Sequence, residues 1–421
     1  MNSRERVRKA LTHQEADRVP LDFGSTAATG ISAIAYNNLC KYLGIETKCR
    51  IFDTFQQLVI PDESILERFH IDLKGIFPRT EKWREEKLLD GSISNVPDSF
   101  RPVTLPEGAK IVYDGDLIVA KMPVEGYYFD HVYWPLENAS IDDLDDFVWP
   151  APFSFYKLPD VNNLDIYLKG IEEESKYWYE NSDYALVGNF GGSILEAAMG
   201  LMGYERFLAD ILKNQEFVEK LLDKLVYANI EYAKRYLDKV NGYIDIIVVG
   251  GEDIGTQSGL VINPNLYRKL VKPRQNKLWQ FIKKNSDAFL AVHSCGAMSE
   301  VIDDYIEIGV DVINPVQTSA ANMDSKVLKQ KFGERITFWG GGCDTQRVLP
   351  RGSTQDVEEE VKKRIKDFAP DGGFIFSQVH IIQPHISPEK IVNLFDSAYK
   401  YGKYPNPGYG LDEDGRIEAS Q

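Results

Sequence analysis

The sequence predicts an α/β protein built as a (β/α)8 TIM barrel. Short apolar runs alternate with helical patterns along most of the chain, and eight such runs can be counted. Parallel strands that are buried on both faces give continuous apolar runs of this kind. A doubly wound open sheet is the alternative, but no G-x-G-x-x-G or G-x-x-x-x-G-K-[ST] motif follows a predicted strand.

Length and composition fit one large globular domain. The chain has 421 residues, of which 43% are hydrophobic and 27% are charged. Its net charge of −16 disfavours binding to nucleic acid or to anionic membrane surfaces. The four scattered cysteines do not form a disulfide framework, and the sequence has neither an export signal nor an apolar run of about 18 residues. We therefore expect a cytoplasmic protein.

The predicted elements follow one another in a regular order. A short helix, Ser3–Leu11, has Ser3 as its predicted N-cap and precedes the first strand. The eight predicted strands begin at Val19, Ile71, Tyr184, Ile244, Ala288, Val310, Ile336 and Gly373. The other predicted helices span residues 31–43, 53–69 with a break at Pro61, 161–180, 194–213, 215–239, 264–284, 299–308, 326–332, 357–368 and 388–400.

One segment departs from this alternation. Residues 78–150 contain short alternating runs such as IVYDGDLIVAKMP, in which Tyr-Asp-Gly-Asp forms a turn. This pattern predicts an antiparallel β-hairpin insertion after the second strand. Residues 1–405 are thus predicted to form a single barrel domain that carries the insertion, and residues 406–421 a flexible tail.

Two strong metal ligands lie two positions apart where the fifth predicted strand ends, in AFLAVHSCG. They are His293 and Cys295, and zinc prefers imidazole nitrogen and thiolate sulfur. In a barrel the C-terminal ends of the strands form one rim, so Cys343 and His380 can join them. Cys343 could instead be a small residue in a tight glycine loop, and His380 a hydrogen-bonding residue without a metal. The residues alone leave the third ligand open.

Other polar side chains fall on the same predicted rim. Asp253, His380 and Asp22 are the candidate catalytic groups, although a helix N-cap is an alternative role for Asp253. The candidate substrate-binding residues are Asn189, Glu252, Gln257, Asn314, Gln317 and Gln378.

Three stretches of the chain resemble the uroporphyrinogen decarboxylase superfamily, a group of (β/α)8 barrels. They are RERVRKALTHQEADRVP, VGNFGGSILEAAMGLMGYERFLADILKNQEFVEKLLDKL and GGFIFSQVHIIQPHISPEKI. The decarboxylases have an arginine-rich segment after the first strand that binds the carboxylates of a tetrapyrrole. The corresponding residues 22–30 contain no arginine, and only His380 matches the decarboxylase motif near the last strand. The resemblance therefore speaks against haem synthesis.

The chain is more similar to the cobalamin-dependent methyltransferases of the superfamily. Those enzymes have an H-x-C…C zinc site, whose first half matches His293 and Cys295, while the final cysteine falls on His380. The resemblance implies Zn²⁺, a corrinoid (cobalamin) carried by a partner protein, a small-molecule methyl donor or acceptor, and a homodimer as in relatives. Two alternatives stay open: a metal-free decarboxylase of a small carboxylated substrate, and a corrinoid- or tetrapyrrole-binding protein without turnover.

Overall fold

The computed structural model describes residues 1–149 and 164–405. The helices are α1 Ser3–Leu11, α2 Ala33–Leu43, α3 Glu63–Arg68, α4 Asp143–Asp146, α5 Leu164–Asn181, α6 Leu195–Met202, α7 Tyr204–Lys213, α8 Gln215–Val240, α9 Pro264–Leu266, α10 Lys272–Asn285, α11 Ile302–Glu307, α12 Ser325–Phe332, α13 Val348–Arg351, α14 Thr354–Phe368 and α15 Pro388–Tyr401. A π-helical turn, Tyr267–Val271, joins α9 to α10. The strands are β1 Ile51–Asp53, β2 Leu58–Val59, β3 Leu73–Ile76, β4 Trp83–Lys87, β5 Ile93–Pro97, β6 Val103–Thr104, β7 Lys110–Asp114, β8 Leu117–Met122, β9 Asp130–His131, β10 Ala185–Gly191, β11 Ile246–Val249, β12 Phe289–His293, β13 Val312–Asn314, β14 Thr337–Trp339 and β15 Phe374–Ile375.

A curled parallel sheet of seven strands forms the centre of the molecule. Its order is β15-β14-β13-β12-β11-β10-β3, and every neighbouring pair is parallel. Strand β11 is buried at all four positions, as expected for a strand covered on both faces. The predicted α/β class with parallel strands is confirmed, and the architecture is TIM-barrel-like.

A short extended segment lies between the two edges of this sheet. On one side the Asp22 amide donates to the Phe376 carbonyl (2.8 Å), next to β15. On the other side the Asp72 amide, just before β3, donates to the Leu21 carbonyl (2.8 Å). Residues 20–22 therefore hydrogen-bond to both edges, where the sequence predicts its first strand.

Helix α1 closes the N-terminal end of the sheet. Its apolar residues Val7, Ala10 and Leu11 pack with the inward-facing side chains of the strands, among them Ala185 and Ile246. Its N-cap is Asn2, whose side chain accepts from the Glu5 amide (2.8 Å) in a capping box. The helix has the predicted bounds, but the prediction that Ser3 is the N-cap was wrong.

The remaining helices form an outer layer. The longest, α8, buries one side against α5 and α10. Two antiparallel sheets, β4-β5 and β6-β7-β8-β9, lie within the segment 78–150 for which the sequence predicts hairpins. Across residues 1–149 and 164–405, no helix is both long enough and apolar enough to cross a membrane. The predicted tail, residues 406–421, lies outside the described residues.

Two predicted helices were wrong in part. Residues 53–69 form β2 and the short helix α3, because the Asp53 carboxylate accepts from the Phe55 and Gln56 amides (3.0 and 2.9 Å) and stabilises a turn there. The single helix predicted for residues 194–213 is two helices, α6 and α7. They are separated at Gly203, whose φ of 86° is not helical.

Candidate metal centre

Three of the predicted ligands lie together at the C-terminal end of the parallel sheet. His293 is the last residue of β12, Cys295 follows two positions later, and His380 comes from the loop after β15. Their ligand atoms all lie within 4.8 Å of one another. The two imidazole rings approach edge to face, with 5.8 Å between their centroids. That these side chains hold a metal ion stays a prediction.

The donor set and its spacing fit zinc. The distance from His293 Nε2 to Cys295 Sγ is 3.5 Å. In a tetrahedral site with a Zn–S bond of about 2.3 Å and a Zn–N bond of about 2.05 Å, sulfur and nitrogen are about 3.6 Å apart. Three protein ligands leave one coordination position for another molecule, as in catalytic zinc sites.

Asn314 fixes the orientation and tautomer of His293. The Asn314 Nδ2 group donates to the Trp339 carbonyl (3.3 Å), so its Oδ1 faces His293 Nδ1 at 3.2 Å. Because an amide oxygen only accepts, Nδ1 carries a proton, and Nε2 is the ring nitrogen turned toward Cys295. Ligand histidines in metalloproteins are oriented in the same way by a partner on the other ring nitrogen.

The loop that presents Cys295 is held by two side chains. The Cys295 amide donates to Asp253 Oδ1 (2.7 Å), and the Gly296 amide donates to Gln317 Oε1 (2.9 Å). Asp253 Oδ1 also lies 3.6 Å from His293 Nε2. Asp253 is thus a carboxylate beside the three-residue group rather than the N-cap of a helix.

Burial controls the protonation of the ligands. Burial, with added repulsion from His293, lowers the pKa of His380 to about 4, so the ring is neutral at pH 7 and its lone pair is free to bind. Burial and the nearby carboxyl groups of Asp253 and Glu196 raise the pKa of the Cys295 thiol. A bound cation reverses this preference, because a coordinated thiol is deprotonated.

Cys343 does not lie with the other predicted ligands. Its thiol is fully buried and donates to Glu360 Oε2 on α14 (3.4 Å), which belongs to the outer helical layer. Burial and the Glu360 charge raise the pKa of this thiol well above its usual value. Of the two candidates for the third ligand, the structure brings only His380 to His293 and Cys295.

The side chain of Glu252 has a structural role at the start of α6. It is fully buried and accepts from the Ile194 amide (2.6 Å), the Leu195 amide (3.1 Å) and the Gln275 side chain (2.8 Å). A carboxylate at this end of α6 stabilises the helix through its dipole. Glu252 therefore anchors α6, and its role in substrate binding stays a prediction.

Glu196, in the first turn of α6, was missed by the sequence analysis. Its carboxyl group hydrogen-bonds with that of Asp253, and burial together with the Asp253 charge raises the pKa of Glu196 well above its usual value. The protonated form of Glu196 is thus favoured beside Asp253. The sequence feature that could have identified Glu196 is its position as a single acidic residue in the otherwise apolar run ILEAAMGLM.

The side chains of the remaining candidate residues hydrogen-bond mainly to neighbouring loops. The Asn189 side chain donates to the Ser25 carbonyl (3.0 Å), and Gln378 donates to the Thr29 carbonyl (2.8 Å). The exposed Gln257 donates to Gln346 (2.9 Å). These amides position the rim loops.

Asp22 is enclosed as well. It is fully buried and accepts from the Ser25 amide (3.2 Å) and from the Trp339 indole (3.0 Å). Each of its oxygens therefore accepts from a protein donor, and its catalytic role stays a prediction.

Two curated proteins named uroporphyrinogen decarboxylase match parts of the chain. The protein from Thioalkalivibrio sulfidiphilus (strain HL-EbGR7) is 30% identical over 74 residues, which are 18% of this chain and 20% of that protein. The protein from Ruthia magnifica subsp. Calyptogena magnifica is 25% identical over 195 residues, which are 45% of this chain and 51% of that protein. The chain thus spans about half, or less, of the length of these curated relatives.

Likeness of fold extends over nearly the whole chain. The solved structure of a methyltransferase from Methanosarcina mazei superposes with a TM-score of 0.58 and covers 95% of this chain and 99% of that one, at 16% sequence identity. Residues 148–401 match the family model described as uroporphyrinogen decarboxylase (URO-D). With the fold, this match shows that the chain belongs to the URO-D family.

Proposed function

We propose that this protein is a zinc-dependent methyltransferase. It would move a methyl group between a small methylated substrate, or a thiol, and a corrinoid carried by a partner protein. The proposal rests on one observation: the ligand atoms of His293, Cys295 and His380 lie within 4.8 Å of one another. Two neutral imidazoles and one thiolate form a donor set that suits zinc.

The side chains around this group complete its charge balance. A Cys295 thiolate and the Asp253 carboxylate together carry two negative charges, which offset the two positive charges of a zinc ion. Glu196, whose raised pKa favours its protonated form, hydrogen-bonds with Asp253, and Asp253 accepts from the Cys295 amide. Asn314 holds the His293 ring with Nε2 toward the site.

We assign one chemical role to the metal. When bound, zinc acts as a Lewis acid that lowers the pKa of a coordinated thiol or polarises a methoxy or amine leaving group. Asp253, whose side chain is about one third exposed, is the residue of this chain that can orient a substrate beside the ligands. The partner corrinoid protein would approach the same end of the sheet.

The decarboxylase alternative depends on Asp22, Asp253 and His380. Asp22 is fully buried and accepts from Ser25 and Trp339, which counts against direct contact between its carboxylate and a protonated intermediate. His380 is neutral at pH 7 and therefore lacks the positive charge that attracts a substrate carboxylate. These two features favour methyl transfer over decarboxylation.

Metal analysis and a methyl-transfer assay test the proposal. We expect about one zinc per chain, and loss of corrinoid methylation after chelation with recovery when zinc is restored. His380→Ala and Cys295→Ser should each lower the affinity for zinc about tenfold or more. Cys343→Ala is the matched control, since it removes a thiol outside the group and should retain zinc.

Three outcomes would contradict the proposal. Full methyl transfer by a demonstrably zinc-free sample would refute the role of the metal. A zinc-free protein that releases carbon dioxide from a carboxylated substrate would support the decarboxylase. Corrinoid binding without consumption of any methyl donor would support a binding protein instead.

A further inference from the structure

A cavity of about 290 Å³ lies between the start of α2 and the antiparallel strands. Five apolar side chains form much of its wall: Leu88, Val96, Phe100, Met122 and Phe129. Phe100 and Phe129 meet edge to face, with 5.6 Å between ring centroids. An apolar cavity of about 150 Å³ is enough to hold benzene, so this one can hold a single ring that carries substituents.

One polar group in the wall has no protein partner. Ser32 is 1% exposed and lines the cavity, and its Oγ makes no hydrogen bond within the described part of the chain. A buried hydroxyl is almost always hydrogen-bonded in native proteins. The unpaired Ser32 Oγ is therefore available to hydrogen-bond with a ligand in the cavity.

The same residue stands at the N-terminus of the eleven-residue helix α2. Ser32 is the N-cap, yet its side chain makes no capping hydrogen bond. The amides of Ile34 and Ala35 are thereby left without the partner that an N-cap normally supplies. Such amides and the helix dipole attract a negatively charged group.

The charged residues in the wall balance one another. Lys87 and Lys110 are offset by Glu86 and Glu125, and Lys110 Nζ lies 2.9 Å from Glu86 Oε1. The end of α2 is thus left as the positive pole of the cavity. An anion would be attracted to that one end, while the opposite wall favours an apolar body.

We propose that this cavity binds a single-ring carboxylate of the size of benzoate. Its carboxylate would accept from Ser32 Oγ and from the Ile34 amide, and its ring would lie against Phe100 and Phe129. Each polar atom of this ligand then has a hydrogen-bond partner, and its apolar surface is removed from contact with water.

The cavity lies near the candidate metal centre. The Ser32 amide donates to the Ile382 carbonyl (3.0 Å), and Ile382 is two residues after His380. Two residues span at most about 7 Å, and paired strands lie about 4.8 Å apart, so Ser32 is within about 12 Å of His380. The ligand is therefore inferred to be the non-reacting end of the substrate. This last step rests on the proposed function.

Calorimetric titration of the full chain with benzoate tests the binding site without any methyl donor or corrinoid. We expect Ser32→Ala to weaken benzoate about tenfold, as loss of one hydrogen bond to a charged group predicts. Ile34→Asp should abolish binding by repulsion, while an acidic residue in the first turn favours the helix itself. Benzamide should bind more weakly than benzoate to the unaltered protein.

Ser387→Ala is the matched control. Ser387 is also an N-cap serine without a side-chain capping bond, at α15, and it does not line the cavity. Equal benzoate affinity in the unaltered, Ser32→Ala and Ile34→Asp proteins, or no binding at millimolar benzoate, would overturn the site.

The substrate assignment is tested separately. If benzoate binds as expected but does not compete with the methyl donor, the site stands and its link to the reaction fails. If zinc removal leaves benzoate binding unchanged while methyl transfer stops, the two proposals are both supported.

Discussion

Replacing Asp22 by asparagine should change how the stability of the protein depends on pH. Asp22 is fully buried, and burial raises the pKa of its carboxyl group from 3.8 to about 6, despite opposing hydrogen bonds from Ser25, Thr29 and Trp339. The native state therefore binds this proton more tightly than the unfolded chain does. Stability from this group is fully present below about pH 4 and is lost as the pH rises through about 6.

The size of the effect follows from the two pKa values. At about 1.4 kcal/mol for each pH unit between 3.8 and about 6, ionisation of Asp22 costs the native state about 3 kcal/mol at pH 8. Asparagine does not ionise, and its side-chain oxygen can still accept from the Trp339 indole. The unfolding free energy of Asp22→Asn, relative to the unaltered protein, should thus increase by about 2.5 kcal/mol between pH 4 and pH 8.

Urea unfolding of both proteins at a series of pH values measures this difference, and the other titrating groups cancel in the subtraction. Trp339→Phe serves as a control, because it removes the indole donor to the ionised carboxylate. Its pH-dependent loss of stability should therefore be larger and reach a higher pH, whatever constant cost the smaller ring adds. A difference between Asp22→Asn and the unaltered protein that stays flat from pH 4 to pH 8 would show that Asp22 has an ordinary pKa.

Two further substitutions test the framework of the site. Asp72→Asn should lower the unfolding free energy by about 3 kcal/mol or more in urea titrations, because Arg6 (2.7 Å) and Arg18 (2.6 Å) would keep buried charges facing a neutral amide; an effect below about 1 kcal/mol would refute this. Gly296→Ala should lower both thermal stability and zinc content, since φ is 86° and a Cβ would lie 2.3 Å from the Gly255 carbonyl carbon. Normal zinc binding by a folded Gly296→Ala protein would show that this loop adapts.

Much of the parallel sheet could be predicted because its strands are buried on both faces. Burial on both faces requires apolar runs such as IIVV in β11, and such runs are visible without knowledge of their neighbours. The segment 53–69 could not be predicted in this way. Its turn depends on one carboxylate, Asp53, that bonds to nearby amides instead of allowing a helix to start there.

The candidate site was predictable at strand ends and much less so elsewhere. His293 and Cys295 follow an apolar run directly, so their place on the rim follows from the fold. Cys343 also follows a strand, but sequence position does not determine whether a side chain turns inward or toward the outer helices, and this one contacts Glu360. Glu196 lies on a helix, and its approach to Asp253 depends on the packing of α6 against the rim.

Helix α1 closes the N-terminal end of the sheet, and this affects the order in which molecules reach the site. Because apolar side chains of the described residues fill the interior above it, the site is reached through the opening at the C-terminal end of the sheet. Under the proposed function, the small substrate must enter before a bulky corrinoid protein covers that opening. A product formed beneath that partner would leave after the partner has withdrawn, so arrival and departure would follow one sequence.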